Sequence, residues 1–245
     1  MAAPTRAVRA SHFSQSGPLY RGGDVTEDGK DLEQRAVDRL IYFSDAVVAI
    51  AITLLAIDLP VPTGATVSRF WSSVRDNGGH YLAFAISFAA IAAAWDNHHD
   101  IFRYARSMDS RLRTLNTAWL LTIVLNPFAT KLLTSRGHQP LGVHALRFGF
   151  YALVQALSAG ALLALVHHMV THAQTPDIPG SVVTTATWRS VGLLVGFGLS
   201  IPVFFATTYG WALWFVGPFV VRQVHRLRHG DGASKVNPSS GPETK

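Results

Sequence analysis

The sequence predicts an all-α, polytopic membrane protein with six transmembrane helices in one subunit. Three observations carry that prediction. Of 245 residues, 49% are hydrophobic and only 15% are charged, a balance too apolar for an ordinary soluble domain. Six segments approach the roughly 20 mostly apolar residues that a helix needs to cross the hydrocarbon core. Lys and Arg gather in alternate connections between those segments, as cytoplasmic loops do.

The spans fall at about 41–59, 81–102, 115–133, 146–171, 191–205 and 209–224. The fourth is the clearest. The last two are short, and Pro202, Thr207, Thr208 and Gly210 divide them as a tight hairpin, because helices break where Pro and Gly cluster; a count of five is the alternative. With six spans, one side of the membrane collects sixteen Lys and Arg and the other five: Arg69, Arg75, Lys131, Arg136 and Arg147. This places both termini in the cytoplasm of a multi-pass protein of the cell membrane. Residues 1–34 lack the apolar core of a signal peptide and read as a disordered or loosely held cytoplasmic tail. Residues 35–228 form the transmembrane domain. Residues 229–245, rich in Gly, Ser, Pro and Lys, read as a second disordered tail.

The formal net charge is +6. The charges lie between apolar runs and not on one face, which argues against nucleic acid and for the lipid bilayer as the partner. The chain has no cysteine, so disulfide and thiolate chemistry are excluded.

The first span, "RLIYFSDAVVAIAITLLAIDLP" from Arg39 to Pro60, places an acid near the start of an apolar helix. At about 100° per residue, Arg39, Phe43, Ala46, Ile50, Thr53, Leu54 and Ile57 form one stripe. Ser44 and Asp45 point to the other side and need partners, because an ionisable group within a bundle is costly unless paired. A second reading makes Ser44 and Asp45 the cap of a helix starting there; the apolar run Leu40–Phe43 speaks against it.

The second span ends in "AAWDNHHDIF", residues 93–102. Trp95, His98, His99 and Phe102 recur at i, i+3, i+4 and i+7, so they share a helix face. Antiparallel threading brings His98 and His99 to the membrane depth of Ser44 and Asp45. Imidazole and indole N–H groups are donors to a carboxylate or hydroxyl, so a structural hydrogen-bonded network joining the two helices is the expectation. The alternative is a metal, with His167, His168 and His172 ending the fourth span on the same side; adjacent His side chains point about 100° apart on a helix and chelate poorly, and no metal site is expected. In the third span Pro127 favours a break near the outer end, with Asn126 available to satisfy the freed backbone groups.

Arg39-x-x-x-Phe43-Ser44-Asp45, the following "AVVAIAITLLAIDLPVP", the Trp95-x-x-His98-His99 run and Asn126-Pro127-Phe128 together resemble the transmembrane protein 175 family of potassium channels, over about residues 39–133. Ala46 stands where that family's pattern leads one to expect Gly. The resemblance implies the prokaryotic single-repeat form: a homotetramer conducting K⁺ passively as a leak channel, with no cofactor and no enzymatic activity. It implies a pore lined by the first helix of each subunit, with Ile50, Leu54 and Ile57 at a hydrophobic constriction and Thr53 supplying a hydroxyl beside it. Arg39, Phe43, Ser44 and Asp45 carry over to the network with Trp95, His98 and His99. The filter sequence TVGYG is absent, so a ring of filter carbonyls is not the source of selectivity.

Two other functions are weighed. A secondary transporter of a cation or small solute is the alternative; internal repeats and broken mid-membrane helices are its usual marks, and no repeat relates the two halves of this chain. An intramembrane enzyme or haem protein built on the His residues lacks a Ser/His/Asp set, paired carboxylates or an HExxH motif.

Overall fold

The computed structural model describes residues 24–135, 141–172, 178–206, 212–214 and 223. Those residues form six helices: α1 Asp24–Ile57, α2 Val67–Asp76, α3 Gly78–Phe102, α4 Ser110–Thr134, α5 Leu141–Thr171 and α6 Gly180–Ala206. At 1.5 Å rise per residue, all but the 10-residue α2 are long enough to cross a bilayer. Four of them, α1, α3, α5 and α6, are also continuously apolar enough. In α4 the apolar run is interrupted by Asn116, Thr122, Asn126 and Thr130, all of which are buried within the subunit. Polar groups of this kind belong inside a bundle, where they find partners, and not against lipid.

Helix α5 packs along both α4 and α6, and α1 packs on α3 and α4 alone among the described helices. The core therefore runs through α4 and α5, with α1 at the side. On α1 the buried residues are Val37, Ser44, Val48, Ala51 and Leu55. Their spacing of seven, four, three and four is the seam of a packed helix pair. A second core joins Ala129 of α4, Phe148 and Tyr151 of α5 and Phe197 of α6 to Trp214. Phe148 stacks on Phe204 at 4.0 Å and on Trp214 at 4.9 Å, and the Trp214 Nε1–H donates to Ser200 Oγ at 3.0 Å.

Three features differ from the sequence-based expectation. Helix α1 starts at Asp24, within the segment assigned to a loose tail. Residues 24–34 contain no proline, have acids leading and carry the helix formers Glu27, Lys30, Leu32, Glu33 and Gln34, which suits a helix N-terminus. Helix α4 does not break at Pro127 but runs on to Thr134. One missing backbone donor is a small loss beside the packing of α4 against three neighbours, and bundle helices tolerate it. Asn126 does not repair that site; its Nδ2 donates to Gln155 Oε1 at 3.0 Å. Helix α6 runs through Pro202 to Ala206, in keeping with a fifth span ending near 205, and the expected hairpin at 207–210 lies outside the described residues. Helix α2 occupies the connection between the first two expected spans, where no helix is predicted; its 10 residues are too few to register as a span. Most of the expected sixth span and the tail 229–245 lie outside the described residues.

Candidate functional site

The polar step of α1 meets two other helices. Trp95 Nε1–H on α3 donates to Asp45 Oδ1 at 2.8 Å. Ser44 is fully buried and donates to the Leu40 carbonyl one turn back, at 2.8 Å. Its oxygen accepts from Asn116 Nδ2 of α4 at 2.9 Å, and Asn116 Oδ1 lies 2.8 Å from His98 Nε2 on α3. Donor and acceptor roles follow from this chain. Ser44 has spent its proton on Leu40, so the Asn116 amide must donate to it. The Asn116 carbonyl then faces His98, whose Nε2 carries the hydrogen. His98 is sandwiched between Phe102 at 4.1 Å and Trp119 at 4.2 Å, the latter within 7° of parallel. The imidazole is thus fixed by two rings and one hydrogen bond. Together Ser44, Asp45, Trp95, His98 and Asn116 clasp α1, α3 and α4.

The expected face of α3 divides into two pairs. His98 and Phe102 are buried. Trp95 and His99 sit beside each other on the exposed side, ring centroids 5.6 Å apart, and His99 has no hydrogen bond into the clasp. Arg39 and Phe43 are exposed on the opposite side of α1, outside the clasp. Asn116 was not anticipated. Its signal was present: an amide offers both donor and acceptor, and it lies near the start of the third span, at the depth of Ser44 and His98.

A second polar cluster, also unanticipated, lies deeper between α3, α4 and α5. Tyr151 OH is its hub, accepting from Gln155 Nε2 at 2.8 Å and lying 3.1 Å from Ser87 Oγ. Thr130 Oγ1 reaches Ser87 Oγ at 2.8 Å, and Asn126 donates to Gln155. At the end of the bundle near the start of α4, Asp109 both caps α4, accepting from Leu112 N at 2.6 Å, and pairs with His168 Nε2 at 2.9 Å. His168 is therefore engaged by a carboxylate. Among the described residues no group of three His, Asp or Glu is placed to hold a metal ion.

The opposite side of α1 is bare. Phe43 is 60% exposed, Ile50 59%, Leu54 47% and Ile57 78%. Thr53 is exposed beside them, its hydroxyl donating to the Ile50 carbonyl at 2.8 Å. At about 100° per residue, the centre of this stripe lies roughly 140° from the seam of Val48, Ala51 and Leu55. One helix thus has a clasped face, which fixes its rotation, and an apolar face that its own subunit leaves uncovered.

The fold and these contacts define a polytopic helical membrane protein whose first long helix is held from one side only. Residues 39–127 match the family model described as Endosomal/lysosomal potassium channel TMEM175, a range that contains all five clasp residues. The chain is 40% identical over 150 residues to a potassium channel of Chamaesiphon minutus, spanning 59% of this chain and 70% of that one. It is 29% identical over 171 residues to a potassium channel of Streptomyces collinus, spanning 69% and 82%. The crystal structure of a lysosomal potassium-selective channel TMEM175 homolog from Chamaesiphon minutus superposes with a TM-score of 0.61 at 28% identity, covering 78% of this chain and 98% of that one. The chain belongs to the TMEM175 family.

Proposed function

We propose that this protein is a potassium-permeable leak channel, assembled as a homotetramer with four α1 helices around the conduction axis. The observation that carries the reading is the bare stripe of α1, set opposite a clasped seam. A single stripe cannot enclose a pore, whereas copies arranged in a closed ring can, and cyclic symmetry is the usual solution. The family membership and the potassium channels among its relatives support K⁺ as the permeant ion.

In this arrangement Ile50, Leu54 and Ile57 form successive apolar rings. Nothing on such a ring replaces the water around an ion, so a narrow one gates by dewetting. Thr53 lies between two rings. Its proton is engaged by the Ile50 carbonyl, which leaves oxygen lone pairs as the acceptors offered to a cation or its water. Asp45 faces Trp95 and acts as a fastener, so the rings are free of carboxylate charge at that level. Ser44, Asp45, Trp95 and His98, with Asn116 added, then orient the helix, and the exposed Arg39, Phe43 and His99 are left for contacts between subunits. Both termini face the cytoplasm of the cell membrane, on the distribution of Lys and Arg. Conduction is passive, with no enzymatic step and no cofactor.

Single-channel recording of the purified protein in planar bilayers tests the reading. Discrete currents under a K⁺ gradient, with a smaller conductance when Na⁺ replaces K⁺, are expected. Flux that appears only with a coupled solute overturns it in favour of a secondary transporter.

A further inference from the structure

Helix α2 plays no part in the clasp or in the stripe of α1, and none of its residues is buried. Val67, Phe70, Trp71 and Val74 recur at i, i+3, i+4 and i+7 and form one apolar face. Ser68, Arg69, Ser72, Ser73 and Asp76 form the other, with Arg75 on the flank. Val67 is 76% and Trp71 55% exposed, and the Phe70 and Trp71 rings meet edge to face at 5.8 Å.

The attitude of this helix is fixed. Thr66 caps its start, accepting from Arg69 N at 3.3 Å. Ser73 Oγ accepts from Thr63 N at 3.1 Å, so the polar side is turned toward the chain's own 60–66 loop. Tyr81 OH donates to the Pro60 carbonyl at 2.8 Å, tying that loop to the start of α3. Gly64 adopts φ of 157°, and a Cβ there would lie 2.5 Å from the Phe70 backbone nitrogen, so the loop and α2 are pressed together as only glycine allows. One residue, Asn77, separates α2 from α3. The helix is therefore held at the level where α3 enters the membrane.

We propose that α2 is an interfacial anchor that lies on the bilayer surface, with Val67, Phe70 and Trp71 sunk among the acyl chains and Arg69 and Arg75 on lipid phosphates. A short helix with an apolar face bearing Trp and Phe, and with Arg on its polar side and flank, suits the headgroup boundary. Anchored there, α2 fixes the depth of the outer ends of α1 and α3 in the bilayer.

The absence of cysteine from the native chain permits the test. Trp71→Cys and Ser72→Cys, each carrying a nitroxide, are reconstituted in phosphatidylethanolamine and phosphatidylglycerol vesicles. Neither change touches a buried residue, and assembly is checked by gel filtration. At position 71 collisions with oxygen are expected to exceed those with a water-soluble nickel chelate, and at position 72 the order is expected to reverse. Nickel collisions dominating at both positions overturn the proposal by placing α2 in water. Spin–spin broadening at position 71 that disappears on underlabelling overturns it in favour of a second copy of the chain as the occupant.

Discussion

Asn116 offers the sharpest test of the clasp. It donates to Ser44 and accepts from His98 at a site where all three are buried. Asn116→Leu keeps the branched side chain and its number of heavy atoms but leaves the His98 N–H without an acceptor. Two membrane hydrogen bonds at about 0.6 kcal/mol each, with an orphaned buried donor at about 1–3 kcal/mol, put the loss at about 2–4 kcal/mol. His98→Phe retains an aromatic ring between Phe102 and Trp119 and removes the donor, leaving the Asn116 carbonyl unpaired instead. The double variant removes both partners, and an apolar pair in place of a polar one is nearly neutral. The double variant is therefore expected to be more stable than the sum of the singles by about 1 kcal/mol or more. The assay is reversible unfolding of the purified protein in mixed micelles with increasing sodium dodecyl sulfate. Additivity of the two changes within about 0.5 kcal/mol refutes the relay. Unitary current is expected to stay unchanged in all three variants, because neither residue lies on the bare stripe.

Other outcomes follow from the same geometry. Asp45→Ala leaves the Trp95 indole N–H without its acceptor and is expected to lower the yield of assembled protein on gel filtration, with ion preference unaltered in what survives; normal yield with altered preference would place Asp45 in the pore. Ile50→Asn shrinks and wets its ring and is expected to raise unitary current, read by single-channel recording. Thr53→Ala removes the hydroxyl between the rings and is expected to change the K⁺ to Na⁺ current ratio with little change in stability, since that side chain is exposed. Tyr151→Phe withdraws the acceptor of Gln155 and the partner of Ser87, with an expected loss of about 1–3 kcal/mol in the same unfolding assay.

The sequence made the long helices legible because lipid demands apolar runs of fixed length, and Ile41–Leu59 or Leu146–Thr171 satisfy that demand without tertiary information. The pairing of Trp95 with Asp45 was also within reach, since a donor-only indole and a carboxylate at matching depth have few other options. Asn116 was harder. One amide in a helix that also carries Thr117, Thr122, Asn126 and Thr130 has no local mark that distinguishes it; its role depends on which helix packs third against α1 and α3. The Tyr151 hub was hidden for the same reason, because its partners come from α3, α4 and its own helix. Pro127 misled in the other direction: proline chemistry is local, whereas the packing that carries a helix past it is not. Helix α2 escaped because ten amphipathic residues between two spans resemble a loop when apolar length is the criterion.

The central claim, that the stripe of α1 lines the conduction path, is tested most directly by cysteine modification during single-channel recording. Ile50→Cys, Leu54→Cys and Ile57→Cys are compared with Leu146→Cys on α5, a position 70% exposed in the subunit and expected to face lipid. On addition of a charged, water-soluble thiol reagent, discrete reductions of unitary current, one step per subunit modified, are expected at one or more α1 positions and none at Leu146. Unitary current unchanged at all three α1 positions, with modification verified by mass, would contradict it.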